Sequence, residues 1–346
     1  MAQERLYLDH AATTPVLPSV RAAMADALER WANPSSPHGE GRAARAALEN
    51  ARTRIGKALR WDGEILFTSG ASEAIGLALD GFDAVASAVE HDAVLSAVGE
   101  EPRLSVDGNG LVQLGIIAKG RRYAIQQVNN ETGVIQPLPE LGARIRAGGG
   151  LLVADCSQGA GKLQLPDADI IILSAHKLGG PPGLGALLVK DLALLRPTGG
   201  QEKGYRRGTE NLPAILGLAA ALEAGSDWLV EASALRTKLE TAIEYEDGDV
   251  IAKGVPRLAT IGSYRMPGVS ASSQLISFDL AGISVSAGSA CSSGTLKASH
   301  VLTAMGWDAK AAGEVVRVSF GPQTKEADID RFIATWKTIR ERAQAA

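Results

Sequence analysis

Short apolar runs that stop abruptly at polar residues constrain this chain more than any other feature. EILF (64–67) runs into Thr68-Ser69-Gly70-Ala71-Ser72, and YAIQQV (123–128) into Asn129-Asn130-Glu131. GLLVA (150–154) ends in Asp155-Cys156-Ser157-Gln158, and DIIIL (169–173) in Ser174-Ala175-His176-Lys177. AVASA (84–88) and GALLV (185–189) are two further runs. Each is short and apolar, the pattern of strands buried on both faces. Helix-like stretches lie around them: 20–30 and 40–60, rich in Ala, Arg and Leu, a long one over 212–244, and an amphipathic one over 326–343. This alternation predicts an α/β architecture with a mostly parallel sheet. Beyond about 235 the texture changes to shorter strands and Ser/Gly loops. The expected division is therefore a large domain over 15–235 and a smaller α+β domain over 236–346, with 1–14 packing on the smaller one.

Composition narrows the function classes. The chain has 346 residues, 45% hydrophobic and 21% charged, which is ordinary globular usage. Lys+Arg 35 against Asp+Glu 39 gives a net charge of −4. A nucleic-acid binder held by phosphate contacts would show a basic excess instead. No apolar run reaches a membrane span, and the polar start Met1-Ala2-Gln3-Glu4-Arg5 lacks a signal-peptide core. Two cysteines exclude a disulfide framework and a multi-cysteine zinc site. The expectation is a soluble, cytoplasmic protein with no nucleic-acid or membrane partner.

Ligands of open α/β sheets bind beyond the carboxyl ends of the strands. Four strands here end in polar groups on what would be one edge. The Thr68–Ser72 turn suits a phosphate, since small residues allow close backbone approach and the next helix offers free N–H groups. Asp155 suits a protonated ring nitrogen, or equally an N-cap or a structural ion pair. Lys177 follows a buried strand and precedes a Gly/Pro-rich loop, a setting that suits a Schiff-base lysine. His91 either opens a helix or stacks on a ring. Phosphate cradle, acid and lysine together describe pyridoxal 5′-phosphate (PLP), an electron sink for carbanions at an amino acid's α-carbon. Cys291 sits among Ser, Ala and Gly (286–294), which reads as an exposed loop and a reactive thiol. Cys156, at the end of a buried strand, reads as a packing residue.

The residues also resemble a known family. LYLDHAATTPV (6–16), NPSSPHGEGRAAR (33–45), ILFTSGASEA (65–74), VEHDAVL (89–95), VNNETGVIQP (128–137) and VADCSQGAGK (153–162) match in order. LSAHKLGGPPGLGAL (173–187), GGQEKGYRRGTENLPAILG (199–217), SAGSACSSGTLKASHVLTAMG (286–306) and VRVSFGPQTKEADID (316–330) continue the match. Together they resemble the cysteine desulfurases, PLP enzymes of fold type I in the class V aminotransferase group. The implied fold is a large domain with a mostly parallel sheet and helices on both faces, plus a smaller α+β domain.

The resemblance implies roles residue by residue. Lys177 would form the Schiff base with PLP, and His91 would stack on its ring. Asp155 would bond the pyridine nitrogen and Gln158 the phenolic oxygen. Ala71, Ser72, Ser174 and His176 would hold the phosphate, with Thr209 reaching the phosphate of a neighbouring subunit in a homodimer. Asn130 would lie near cofactor and substrate, Asn33 near the substrate, and Arg317 would bind the substrate carboxylate. Cys291 would accept sulfur from L-cysteine as a persulfide, leaving L-alanine, for delivery to an iron–sulfur scaffold or another acceptor protein. No resident metal is implied; Cys291 stands as a candidate iron–sulfur ligand. The chain departs from the family pattern at Ala74-Ile75-Gly76, in a shortened stretch over 79–125, and in ending soon after its last helix. The rival readings are a selenocysteine lyase, a class V aminotransferase, and a non-catalytic scaffold subunit.

Overall fold

The computed structural model describes residues 5–30, 32–100, 102–290, 296–297 and 299–345. Its main sheet has six strands, in the spatial order Glu64–Thr68, Gly185–Val189, Ile170–Ser174, Leu151–Asp155, Arg122–Gln126 and Ala84–Ala86. Gly185–Val189 is antiparallel to both neighbours. The other strands share one direction. The polar residues that end four of the apolar runs are thereby delivered to one edge of the sheet.

Alternate side chains explain why these strands are apolar throughout. Leu152, Ala154, Ile171 and Leu173 enter one core, with Ala44, Leu48, Ala51 and Ile55 of the helix Gly39–Leu59 and with the helix Leu212–Glu223. Val153, Ile170 and Ile172 enter the core on the other face, with Ala74, Ile75 and Ala78 of the helix Ala71–Leu79. Both faces are covered by helices, so neither can carry a polar stripe. Residues 44, 48, 51 and 55 recur at three- and four-residue spacing, which sets one face of a long helix against the sheet.

A second, three-stranded antiparallel sheet runs Val315–Ser319, Ile261–Arg265, Asp249–Val250. It has its own apolar core, in which Phe278 and Phe332 stack at 4.7 Å beside Trp336. The strand Leu6–Tyr7 pairs in parallel with Ile283–Ser284, and Leu8 is buried in that second core. The helical stretch expected over 212–244 is two helices, Leu212–Glu223 and Leu229–Tyr245. The chain turns between them at Gly225, whose φ of +75° is the left-handed conformation that ends helices. Leu229–Tyr245 runs unbroken through position 235. Among the described residues, no helix is long and apolar enough to cross a membrane.

One glycine couples the sheet to its polar edge. Gly185 lies opposite both Thr68 and Ser174. A Cβ there would stand 2.5 Å from the carbonyl carbon of Gly70 and 2.8 Å from the oxygen of Leu173. Both obstacles are backbone, so they cannot rotate away. Gly185→Ala is therefore expected to destabilise the fold by about 1–3 kcal/mol, as overpacking does, measured by urea unfolding. An unchanged unfolding midpoint would mean that the Gly70 turn is free to shift.

Candidate active site

A cavity of about 350 Å³ opens at the polar edge. Ala71, Ser72, His91, Asn130, Asp155, Gln158, Ser174, His176 and Lys177 all line it. A second cavity, of about 330 Å³, shares His91, Asn130 and Lys177 with the first and adds Arg317, Asp9 and His300. Two expected residues stand apart within the single chain. Asn33 is exposed, and its Oδ1 accepts the Ser35 N–H at 2.9 Å. Thr209 is exposed on the loop before the helix Leu212–Glu223. Cys291 lies outside the described residues; Ser286 and Gly288, shortly before it in sequence, line the second cavity.

Lys177 closes a three-residue 3-10 turn, Ala175–Lys177, directly after the strand Ile170–Ser174. Its Nζ donates to the carbonyls of Ala11 at 2.6 Å and Ala12 at 2.9 Å. Burial pushes its pKa down to about 8, the Arg317 charge pushes the same way, and Asp155 and Asp9 oppose them. A substantial neutral fraction of this amine therefore exists near pH 8. His176 is lowered to about 4 by burial and by Lys177, so its ring is neutral at neutral pH. Its Nδ1 lies 3.1 Å from the Thr13 hydroxyl.

Asp155 ends its strand, and its Oδ1 accepts the Ser157 N–H at 2.9 Å. Asp155 caps no helix: its bond closes a local turn between two strands, and the residue lines the cavity. Gln158 Nε2 donates to the Ala11 carbonyl at 2.8 Å. Its Oε1 and the Ser157 hydroxyl are buried without a hydrogen-bond partner among the described residues. His91 opens a helix, as one of its two readings had it. It caps the helix Asp92–Val98, with Nδ1 accepting the Ala93 N–H at 3.1 Å, and it lines the cavity. A neutral His91 therefore carries its proton on Nε2. Cys156 is fully buried, and burial raises its thiol well above the usual range, so it is an inert packing residue.

Arg317, on the strand Val315–Ser319, donates to the Asn130 carbonyl at 2.9 Å and to Asp9 Oδ1 at 2.7 Å. Its Nε is buried and has no hydrogen-bond partner among the described residues. Sequence reasoning missed Asp9, Lys162, Glu90 and His300, although each lies inside a matching stretch. His300 Nε2 meets the Glu90 carbonyl at 2.9 Å. Glu90 is fully buried directly before His91, and its Oε1 accepts from the Ser87 hydroxyl at 2.5 Å and the Gln126 N–H at 2.9 Å. Burial raises its pKa to about 8, with Asp155 adding to the rise against those two hydrogen bonds.

A sheet whose strand ends converge on a half-buried lysine, an aspartate and a helix N-terminus defines a class, and comparison gives the same one. Residues 6–332 match the aminotransferase class-V family, and the chain belongs to it. Within that class it is a member of the cysteine desulfurase family. It is 33% identical to cysteine desulfurase IscS 1 of Archaeoglobus fulgidus, over 98% of each chain. It is 37% identical to a cysteine desulfurase of Bradyrhizobium diazoefficiens, over 99% of this chain and 96% of that one. The crystal structure of a NifS-like protein from Rickettsia africae superposes with a TM-score of 0.89 at 30% identity, covering 98% of this chain and all of the other. These likenesses and the mixed sheet make the fold that of the type I PLP enzymes, as the resemblance implied.

Glu90 offers a test of the buried site that needs no ligand. Its folded pKa lies above that of an unfolded glutamate, so the stability it contributes is lost as pH rises through about 8. Glu90→Gln cannot ionise and escapes that loss. The Tm of the variant should therefore gain on that of the wild type between about pH 6 and about pH 9. Parallel Tm curves would show that Glu90 is already ionised in the fold.

Proposed function

We propose that this chain is a PLP-dependent cysteine desulfurase that converts L-cysteine to L-alanine and leaves the sulfur as a persulfide on Cys291. The observation that carries the reading is the half-buried Lys177, placed in a wall shared by two adjoining cavities, and burial that holds its amine down at about 8 supports it. One cavity has groups suited to a phosphorylated pyridine, the other an arginine suited to a carboxylate.

The residues present fit PLP. Gln158 Oε1 and the Ser157 hydroxyl are buried polar atoms awaiting partners at the cavity wall. Ala71 and Ser72 open the helix Ala71–Leu79, where free N–H groups favour a phosphate, and Ser174 and His176 stand beside them on the lining. Asp155 supplies the anion for a ring nitrogen, and Lys177 the amine for the aldehyde. Bound there, PLP supplies an electron sink for negative charge at the α-carbon.

Arg317 binds the substrate carboxylate with the N–H groups that Asp9 and Asn130 leave free. Lys177 Nζ, when neutral, takes the α-proton and returns it. His91, with its proton on Nε2, is a second proton carrier on the same wall. The Cys291 thiolate attacks the sulfur of L-cysteine. The S–S bond forms as the C–S bond breaks, and the electron pair stays with carbon, where protonation completes alanine. Substrate and Cys291 thiol thus balance against alanine and persulfide without an external oxidant or reductant. Thr209, which faces away from the chain's own cavity lining, serves the phosphate of a second copy in a homodimer. The persulfide is handed to an iron–sulfur scaffold or another sulfur-acceptor protein in the cytoplasm.

Two measurements test this. PLP-loaded protein with L-cysteine and a reductant should release sulfide and alanine in equal amounts. Cys291→Ala should still change the cofactor absorbance on adding L-cysteine yet lose turnover by about 10³-fold or more. A chromophore-bearing wild type that yields neither product refutes the assignment. Separately, apoprotein should take up PLP faster as pH rises through about 8, because only the neutral Lys177 amine attacks an aldehyde. Uptake independent of pH would mean that this amine is not the loading group.

A further inference from the structure

Lys162 ends one of the matching stretches, and the reaction as proposed makes no use of it. Its Nζ donates to the backbone carbonyls of Gln158 at 3.2 Å and Lys177 at 3.0 Å. No carboxylate pairs with it among the described residues. Burial, with the charge of Lys177 adding to it, lowers its pKa to about 8. An amine kept in so poorly hydrated a place, on neutral partners alone, is costly unless it does something there.

Its two partners show what that is. Lys177 ends a 3-10 turn of three residues, too short to hold its own shape by internal bonds. The turn has one such bond, Leu178 N–H to the Ala175 carbonyl. Further anchors come from elsewhere: the Ala175 N–H on the Leu184 carbonyl at 3.1 Å, the Gly180 N–H on the Ala175 carbonyl at 3.0 Å, the Thr14 N–H on the His176 carbonyl at 2.8 Å, and the Thr14 hydroxyl on the Lys177 carbonyl at 3.3 Å. The Lys162 ammonium completes them and joins this turn to the one that carries Gln158. Lys162 and Lys177 also share the wall of a small third cavity, of about 110 Å³, with Thr14, Trp228 and Pro322. This cavity adjoins Lys177 but has none of the other residues that line the two substrate-side cavities.

We propose that Lys162 is a positioning residue: it locks the Gln158 and Lys177 turns to one another and sets the balance of charge around the Lys177 amine. That balance has few members. Asp155 and Asp9 favour the charged amine, and Arg317 disfavours it. His176 and His10 are both lowered to about 4 and are neutral at neutral pH; Lys177 contributes to the first shift and Lys162 to the second. Lys162 Nζ is held 3.0 Å from the Lys177 carbonyl, so its ammonium is a further cation close to Lys177, and repulsion between like charges is mutual.

The inference rests on Lys177 being the cofactor lysine, but its test does not need the cofactor. Lys177 in the apoprotein is acylated with acetic anhydride across a pH series, and its labelling is read by mass spectrometry. Wild type should show a midpoint near 8. Lys162→Met and Lys162→Gln should both raise that midpoint by about one pH unit, because a neighbouring positive charge is gone. Lys162→Arg should leave it in place. Lys162→Gln, which keeps an N–H donor, should also keep more of the wild-type Tm than Lys162→Met. If Lys162→Met does not fold, the glutamine variant alone decides.

The same midpoint in wild type, Met and Gln variants overturns the proposal, as does an arginine variant that shifts as far as methionine. Holoenzyme gives an independent reading. The visible absorbance of bound PLP should titrate at higher pH in Lys162→Gln, and gel filtration should strip the cofactor faster. A chain that never takes up PLP sinks the proposed function, while the labelling midpoints still report whether Lys162 acts on Lys177.

Discussion

Burying the amine of Lys177 beside the guanidinium of Arg317 is costly, and much of the molecule is arranged to meet that cost. Two cations in one poorly hydrated space need anions and oriented carbonyls nearby. Asp9 bonds Arg317 directly, and Asp155 faces the same cavity wall as Lys177. The Ala11 and Ala12 carbonyls accept from Lys177, and the Asn130 carbonyl from Arg317. None of these partners is adjacent in sequence to the cation it serves. Strand direction brings Asp155 to the edge where Lys177 emerges, and the short Leu6–Tyr7 pairing brings Asp9 and Ala11 to the same place.

The cavity side of this arrangement is legible in the sequence because it follows from a local rule. Parallel strands buried on both faces leave polar side chains only at their ends, so the order of residues alone marks Ser174, Asp155 and Asn130 as neighbours. Lys177 stands out for the same reason, as a charge soon after a run of apolar residues. The register that sets Gly185 between Thr68 and Ser174 is not legible, since nothing in GALLV fixes which strand it pairs with. The break at Gly225 is hidden because LPAILGLAAALEAG and the next stretch keep a helical pattern on both sides of it.

The residues that sequence reasoning passes over share a different property. Asp9 matters through Arg317, 308 positions away, and the contact is set by a single parallel bridge between Asp9 and Ser319. Lys162 matters through two backbone carbonyls, and periodicity says nothing about carbonyls. Glu90 is marked in the sequence only by its place before His91, and it is fully buried and bonded to Ser87 and Gln126. Asn33 and Thr209 are the converse case. Their types and motifs match, but within one chain both are exposed and line neither cavity.

The segment from Leu6 to Thr14 bears on how the two halves of the site act together. Tyr7 bonds the carbonyls of Asp9 and Thr13, which folds the segment into a tight turn. From that turn Asp9 reaches Arg317, Ala11 takes both Gln158 and Lys177, and Thr14 holds the Lys177 carbonyl. Arg317 belongs to the second sheet, and Lys177 and Gln158 to the main one. One short segment thus holds Lys177 and Gln158 at one end and Arg317 at the other, which neither sheet could do alone. Alanines at 11 and 12 suit this task, since what the segment offers Lys177 is carbonyl oxygen and what it must not do is fill the cavity. Asp9 and Ala11 sit in the same turn, so the partner of Arg317 and the carbonyl that takes Lys177 and Gln158 are held by one backbone.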